Sequence, residues 1–178
     1  MFFLQMSGFP GSGKSTLARQ IGKETSAVII DHDIVKSALM KSLNKINIDE
    51  KNLGEVSYNI DWSLIDFHLS QGHSVILDSP CFYTEMVERA LALSKKHNVK
   101  YKYVECYIED MNEINHRLKS RKRMRSQIQQ TQSEERFKDC LMNSTKPSNT
   151  KTLTVDSSLP LDTYINDVIR YLEDEFAI

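Results

Sequence analysis

Short apolar runs alternate with longer amphipathic stretches along the whole chain. The apolar runs predict strands near residues 2–7, 27–30, 74–77, 101–108 and 153–155. Between them, apolar residues at helical spacing predict helices near residues 14–22, 34–43, 55–71, 84–97, 111–122, 134–143 and 161–175. Such alternation is typical of a parallel sheet with helices on both faces. We therefore expect an α/β fold in three layers, built on a five-stranded parallel sheet.

Two of the predicted helices carry more detailed expectations. Gly22 is expected to end the first helix, because glycine is common just after a helix terminus. In the helix near 55–71, Val56, Ile60, Leu64 and Ile65 are expected to form the stripe that faces the core.

Polar and glycine-rich segments follow the predicted strands at the points where they end. These segments are residues 8–15, residues 31–33, Asp78 and Asp156. Because parallel strands end at the same edge of a sheet, and ligands bind beyond that edge, these segments should converge on one site.

The first of these segments, residues 8–15, reads Gly-Phe-Pro-Gly-Ser-Gly-Lys-Ser and matches the phosphate-binding pattern G-x-x-x-x-G-K-[ST]. Its glycines let the backbone curl so that successive N–H groups and the next helix's N-terminus point at phosphate oxygens. Lys14 would reach the β- and γ-phosphates of a bound nucleotide, and Ser15 would bind Mg²⁺. A chance match is the alternative, which the preceding apolar run and the following helix disfavour. The expected nucleotide-binding set is Gly8, Pro10, Gly11, Ser12, Gly13, Lys14, Ser15 and Thr16.

Composition narrows the class of protein. The chain has 178 residues, of which 26% are charged and 40% apolar, as is ordinary for one soluble globular domain. The net charge of −1 disfavours binding of polyanions by bulk electrostatics. Cys81, Cys106 and Cys140 lie far apart and form no C-x-x-C pair. This pattern favours reduced thiols and a cytoplasmic protein. No run of 18 apolar residues occurs, so no membrane partner is expected.

The segment Asp31-His32-Asp33 follows the second strand. Phosphoryl transfer to an alcohol needs a carboxylate that orients the attacking hydroxyl and takes its proton, and Asp33 is the candidate. The alternative is that Asp33 caps the following helix. Asp31 is a secondary candidate, and His32 is interpreted as a solvated neighbour. Lys36, one turn later, could hold an anionic group of the substrate or be a plain surface lysine.

Asp78 ends the third apolar strand. An acid beside the phosphate loop suits support of Mg²⁺, usually through water. The alternative is a cap for the turn that contains Ser79 and Pro80.

Six basic residues fall within nine positions: Arg117, Lys119, Arg121, Lys122, Arg123 and Arg125. A helix continued through residue 121 would place Arg117 and Arg121 on one face, where both could contact the transferred phosphoryl group. The alternatives are a solvated charge run, with Glu113 paired to Arg117, and a nucleic-acid patch. Whether Arg123 and Arg125 share the contact stays open.

Two further regions are candidates for ligand contact. The loop that begins at Asp156 could pass beside the purine base. The helices near 34–43 and 55–71, with the polar link 44–54, should form the acceptor wall. Tyr58 and Trp62 could contact substrate there, although core packing is the alternative interpretation.

The order of these motifs resembles the small P-loop kinases. Within them, the chain is most similar to AAA_33-type ATP-binding proteins of the branch with phage polynucleotide kinase, zeta toxins and chloramphenicol phosphotransferase. The matching segments are residues 8–16, Asp33-x-x-Lys36, Asp78, Arg117-x-x-x-Arg121 and residues 155–156. The resemblance implies a nucleoside-kinase-like P-loop fold, a mobile basic lid near 117–133, ATP, Mg²⁺, and γ-phosphate transfer to a hydroxyl. It also implies Asp33 as general base and Arg117 and Arg121 as lid arginines.

One position departs from the polynucleotide kinases. They have a substrate-binding arginine three residues after the base, whereas this chain has Lys36, which keeps the charge but loses the bidentate fork. We therefore expect residues 1–178 to be one kinase domain that acts on a small-molecule hydroxyl. The alternatives are a nucleic-acid 5′-hydroxyl kinase and a regulatory ATP-binding protein without an acceptor.

Overall fold

The computed structural model describes residues 1–43, 49–131, 133–142, 145–148 and 150–174. Its strands are β1 (Phe2–Ser7), β2 (Val28–Asp31), β3 (Val75–Asp78), β4 (Lys100–Tyr107) and β5 (Thr152–Asp156). Its helices are α1 (Lys14–Thr25), α2 (His32–Ser42), α3 (Glu50–Ser70), α4 (Thr84–Lys96), α5 (Met111–Ser120), α6 (Glu134–Met142) and α7 (Ile165–Glu173), with a 3₁₀ turn at Leu161–Thr163. Residues 44–48 of the expected polar link lie outside the described residues, and the rest of that link belongs mostly to α3.

The five strands form one parallel sheet in the order β2-β3-β1-β4-β5. The register places Asp31 opposite Asp78 and Ser7 opposite Glu105, so the strands end together at one edge. The predicted parallel α/β sheet is confirmed, and its carboxyl edge carries the phosphate loop.

Side chains of β1 alternate between two cores. Phe2, Leu4 and Met6 join the α1 and α7 side of the sheet, whereas Phe3 packs with α3 and α4 on the other. Every residue of β1 is buried, as expected for a central strand covered on both faces.

A smaller apolar cluster lies under the phosphate loop, where Ile114 and Leu118 of α5 pack with Phe137 of α6. Phe9 of the loop meets the Phe137 ring edge-to-face, with centroids 4.9 Å apart. This contact attaches the loop to the helices that flank the basic stretch.

The expectation that Gly22 ends the first helix was wrong. Helix α1 passes through Gly22 to Thr25 and ends where Ser26 takes a left-handed φ of 56°. A Cβ at Gly22 would lie 2.8 Å from Cδ1 of Ile29, so the glycine allows α1 to approach β2 closely.

The predicted stripe of α3 was also wrong in part. The buried residues described in this helix are Leu53, Ser57, Asp61, Trp62, Ile65 and Leu69, mostly four positions apart, whereas Val56 and Leu64 are exposed. Two polar residues occupy this face, which hid it from a hydrophobic pattern. Among the described helices, none has the length and apolar character needed to cross a bilayer.

Candidate functional site

The glycines of the phosphate loop adopt conformations that other residues rarely take. Gly8, Gly11 and Gly13 have φ values of 128°, 90° and 91°. A Cβ at Gly8 would lie 2.2 Å from the carbonyl oxygen of Cys106, so any other residue would force the loop away from β4. The turn therefore depends on glycine for both backbone angle and space.

Lys14 is folded back over this loop. Its buried ammonium donates to the carbonyl oxygens of Gly8 at 2.8 Å and Phe9 at 3.0 Å. Burial lowers the pKa of Lys14, while the nearby carboxylate of Asp78 opposes that shift. Ser12 is buried, and its hydroxyl has no hydrogen-bond partner among the described residues. A desolvated cation beside this turn fits a bound phosphate.

Ser15 and Asp78 meet beside Lys14. Burial raises the pKa of the Asp78 carboxyl, and a hydrogen bond from Ser15 and the charge of Lys14 act against that rise. A hydroxyl and a carboxylate are ligands suited to Mg²⁺. Within the described residues no cluster of three or more His, Cys, Asp or Glu side chains could hold a metal. One hydroxyl and one carboxylate fit an ion that takes its other ligands from nucleotide and water.

Asp31, not Asp33, caps helix α2. The Asp31 carboxylate accepts from the backbone N–H groups of Asp33 at 3.0 Å and Ile34 at 3.3 Å. The interpretation of Asp33 as the cap was therefore wrong. The capping geometry leaves the Asp33 side chain to face the cavity in the first turn of the helix.

A cavity of about 1050 Å³ lies at this edge of the sheet. It brings together most of the residues that the sequence singled out: Pro10, Gly11, Gly13, Lys14, Ser15, Thr16, Asp33, Lys36, Tyr58, Asp78, Arg117 and Arg121. Gly8 and Ser12 do not line the cavity. Trp62 is buried in the core, where its ring packs edge-to-face against Phe3. Of the two interpretations of Trp62, substrate contact and core packing, the structure therefore supports core packing.

Asp156 does not line the cavity. Its exposed carboxylate accepts from the backbone N–H and hydroxyl of Ser158, an interaction local to the turn. The next residue, Ser157, is buried, and its hydroxyl donates to the carbonyl oxygen of Ser12 at 2.6 Å. Ser157 therefore ties the loop after β5 to the phosphate loop. The turn composition around Asp156 did not indicate this.

Arg117 bridges three parts of the site. Its Nε donates to Glu113 at 2.6 Å, as the charge-run alternative anticipated, and its Nη1 donates to the carbonyl oxygen of Ser157 at 3.0 Å. A Cβ at Gly13 would lie 3.8 Å from Nη1, so the guanidinium stands directly over the phosphate loop.

Arg121 lies beyond the end of α5, which stops at Ser120, so the expected helix through residue 121 was wrong. Its Nη2 donates to the carbonyl oxygen of Ile128 at 3.1 Å, whereas Nε is buried with no partner among the described residues. Burial lowers the pKa of this guanidinium, and the charge of Asp33 opposes the shift. The Arg121 side chain nevertheless lines the cavity.

His32 is not the solvated neighbour that the sequence suggested. It is 6% exposed, and its Nδ1 lies 2.6 Å from Oδ2 of the fully buried Asp61. The imidazole stacks on Tyr58 with ring centroids 3.9 Å apart, and the Tyr58 hydroxyl shares a 2.9 Å hydrogen bond with Ser79. The sequence feature that could have indicated the His32–Asp61 pair is Asp61 itself, an acid at the centre of a long amphipathic helix.

The segment between α5 and α6, described over residues 121–131 and at Ser133, contacts Asp33 directly. The Ser126 hydroxyl donates to Oδ1 of Asp33 at 2.7 Å, and Nε2 of Gln127 donates to Oδ2 at 3.0 Å. Both carboxylate oxygens are thus covered by the tip of this segment. Its Gln/Ser/Thr composition did not predict the contact, which joins residues more than ninety positions apart.

Across the cavity from the phosphate loop, the wall combines charged and aromatic side chains. Lys36 and Tyr58 come from α2 and α3, and Phe82 and Tyr83 come from the loop before α4. Both rings of that loop are partly exposed, at 38% and 61%. The wall therefore offers a cation and flat apolar surfaces next to Asp33.

Comparison with known proteins agrees with this geometry. The family model described as an AAA domain (AAA_33) matches residues 4–147. None of the curated proteins matches the chain.

Many solved structures share the fold. A protein of Chloroflexus aurantiacus j-10-fl that has been named provisionally as a kinase is 17% identical to this chain. Its TM-score is 0.72 over 96% of this chain and 97% of that one. A sugar kinase of Janibacter sp. HTCC2649 is 16% identical, with a TM-score of 0.65 over 97% and 94%. The Mycobacterium tuberculosis APS kinase CysC, in complex with AMPPNP and APS, is 15% identical, with a TM-score of 0.63 over 97% of each chain. At such identities the similarity establishes the fold, which is that of the P-loop kinases.

Proposed function

The chain belongs to the AAA domain family, and we propose that it is an ATP-dependent phosphotransferase that moves the γ-phosphate of ATP to a hydroxyl of a small-molecule acceptor. The observation that carries this proposal is the cavity in which the Asp33 carboxylate and the Lys14 ammonium face the same space. A phosphate-binding loop alone supports nucleotide binding, whereas a carboxylate across the same space supports transfer to an alcohol. We further propose that residues 1–178 act as one kinase domain with a lid at 117–133.

Each part of the site has a distinct role in this proposal. The loop N–H groups and Lys14 hold the β- and γ-phosphates, and Asp33 orients the acceptor hydroxyl and takes its proton. Arg117 and Arg121 cover the oxygens of the transferred group, where negative charge is stabilised best by fixed donors that exclude water. Bound Mg²⁺, held by Ser15 and supported by Asp78, would neutralise charge on the phosphates.

A small acceptor is favoured over a nucleic-acid end by the shape and charge of the wall. The cavity of about 1050 Å³ must hold a nucleotide as well, which leaves room for one small molecule. Lys36 supplies a single point charge rather than the bidentate fork suited to a phosphodiester. Two structures with the same fold, the sugar kinase and the APS kinase, carry small molecules in their names.

Two variants test the proposal with separate readouts. Lys14→Ala should abolish the thermal stabilisation that ATP and Mg²⁺ confer. Asp33→Asn should keep that stabilisation and lose roughly 10²–10⁴-fold in transfer rate. Asp139→Asn on the exposed face of α6 is the matched control and should change neither.

Transfer is measured as ADP release with a panel of sugars, nucleosides, other alcohols, hydroxylated antibiotics and a 5′-hydroxyl oligonucleotide. Acceleration by a small molecule supports the proposal, and acceleration only by the oligonucleotide supports the nucleic-acid alternative. If no acceptor raises ADP release above the rate with water, the kinase assignment fails and the regulatory ATP-binding alternative remains.

A further inference from the structure

The Ser126 hydroxyl binds the carboxylate that is proposed to activate an acceptor alcohol. Its hydroxyl donates to Oδ1 of Asp33 at 2.7 Å, and both residues line the cavity that also contains Lys14. An acceptor hydroxyl in phosphoryl transfer must donate to the base and face the phosphate loop. The chain thus presents one of its own hydroxyls to the residue proposed to activate hydroxyls.

Neighbouring hydrogen bonds hold the Ser126 hydroxyl in that orientation. The hydroxyl of Ser37 donates to Ser126 Oγ at 2.9 Å, and the Ser126 backbone N–H donates back to Ser37 Oγ at 3.1 Å. Ser126 has one hydroxyl proton, which points to Asp33, and two lone pairs, one of which Ser37 engages. The second lone pair remains for attack on a phosphorus atom.

The tip of the segment is fixed by further contacts, so this placement does not depend on one side chain. Gln127 donates to the other oxygen of Asp33 at 3.0 Å and accepts from the backbone N–H of Met124 at 3.0 Å. Arg121 donates to the carbonyl oxygen of Ile128 at 3.1 Å. Positioning of a nucleophile in this way converts an encounter between molecules into an intramolecular step.

We propose that the protein phosphorylates its own Ser126, a reaction that rests on the phosphotransferase activity proposed above. Ser126 Oγ forms a bond to the γ-phosphorus of ATP, while the bond from that phosphorus to the β,γ-bridging oxygen breaks. ADP leaves with that electron pair, and the hydroxyl proton passes to Asp33. The products are phosphoserine at position 126, ADP and one proton.

The modification changes the contact that produces it. A phosphoserine carries nearly two negative charges and repels a carboxylate at hydrogen-bond distance. Ser126 therefore leaves Asp33 once modified, and because its one hydroxyl is then esterified, this site takes a single phosphate.

The test uses the full chain with ATP and Mg²⁺ and no added acceptor, followed by intact-mass and tandem mass spectrometry. We expect one phosphate on Ser126, added at a rate per molecule that does not depend on protein concentration. Ser126→Ala should abolish incorporation, and Asp33→Asn should slow it by roughly 10²-fold or more. Ser63→Ala is the control, since Ser63 is exposed on α3, donates to the carbonyl oxygen of Asn59 and does not line the cavity.

The outcomes separate this inference from the proposed function. If an external acceptor is phosphorylated while Ser126 stays unmodified, self-phosphorylation is overturned and the kinase proposal stands. If ATP stabilises the chain but no phosphate is transferred to anything, both proposals fail and the regulatory ATP-binding alternative remains. Incorporation at another residue, or a rate that rises with protein concentration, also overturns it. If ATP neither stabilises the chain nor donates phosphate to anything, the proposed function and this inference fail together.

Discussion

Replacing Gly22 with alanine probes the contact between α1, which follows the phosphate loop, and strand β2. In a free helix this change should stabilise by about 1 kcal/mol, because alanine loses less backbone entropy than glycine. Here the new Cβ would lie 2.8 Å from Cδ1 and 3.2 Å from Cγ1 of Ile29. Overpacking of this kind costs about 1–3 kcal/mol, so we expect a net loss of about 1 kcal/mol.

The free-energy cost of the clash can be measured with a second substitution that removes the clashing atom. Ile29→Val deletes Cδ1 and leaves Cγ1 at 3.2 Å, a distance that a small shift can relieve. In this background Gly22→Ala should become neutral or stabilising by up to about 1 kcal/mol. The coupling energy between the two sites should therefore be about 1–2 kcal/mol.

Urea unfolding of the four proteins, followed by circular dichroism at 25 °C, gives these free energies. The m-values should agree among the four, since the same surface unfolds in each. If Gly22→Ala loses the same stability in both backgrounds, to within about 0.5 kcal/mol, steric contact with Ile29 is not what excludes a side chain there.

Two further predictions concern the arginine bridge and the helix cap. Arg117→Lys keeps the charge but loses the donors to Glu113 and to the carbonyl oxygen of Ser157. Urea unfolding without nucleotide should therefore show that the free energy of unfolding falls by about 1–2 kcal/mol. An unchanged free energy of unfolding would mean that these hydrogen bonds do not stabilise the fold. Burial raises the pKa of Asp31 from 3.8 to about 6, so the folded state binds the proton more tightly and loses stability as pH rises from about 4 to 7. Asp31→Asn keeps the cap without the charge, so its free energy of unfolding should rise relative to wild type by up to about 3 kcal/mol from pH 4 to pH 7, measured by urea unfolding in EDTA. A difference between the two proteins that stays constant with pH, or that changes in the opposite direction, would contradict this prediction.

The phosphate loop and the alternation of elements were predictable because their causes are local. The required turn depends on glycines within six residues, and the N–H groups that bind phosphate belong to the same short segment. Each strand is a short apolar run bounded by turn residues, so a parallel sheet followed from the pattern. The edge at which Asp33 and Asp78 meet followed from parallel strand direction alone.

The errors arose where a residue's role depends on a partner distant in sequence. Gly22 has the composition of a helix stop, but the close approach of Ile29 explains it. Asp61 breaks the apolar stripe of α3 and is tolerated because α2 brings His32 to 2.6 Å. The exchange of roles between Asp31 and Asp33 depends on where α2 begins, a boundary that sequence patterns locate only to within a few residues.

Sequence alone therefore determined the sheet, the loop that would hold a triphosphate and the set of charged residues at one edge, because backbone preferences and strand direction act within each element. The tertiary structure decided which partners those charged side chains contact. It placed Arg117 over the loop through Ser157, and it set Ser126 on Asp33 across 93 positions of chain. Contacts of that range depend on how whole elements pack, and packing is a property of the assembled core rather than of any segment.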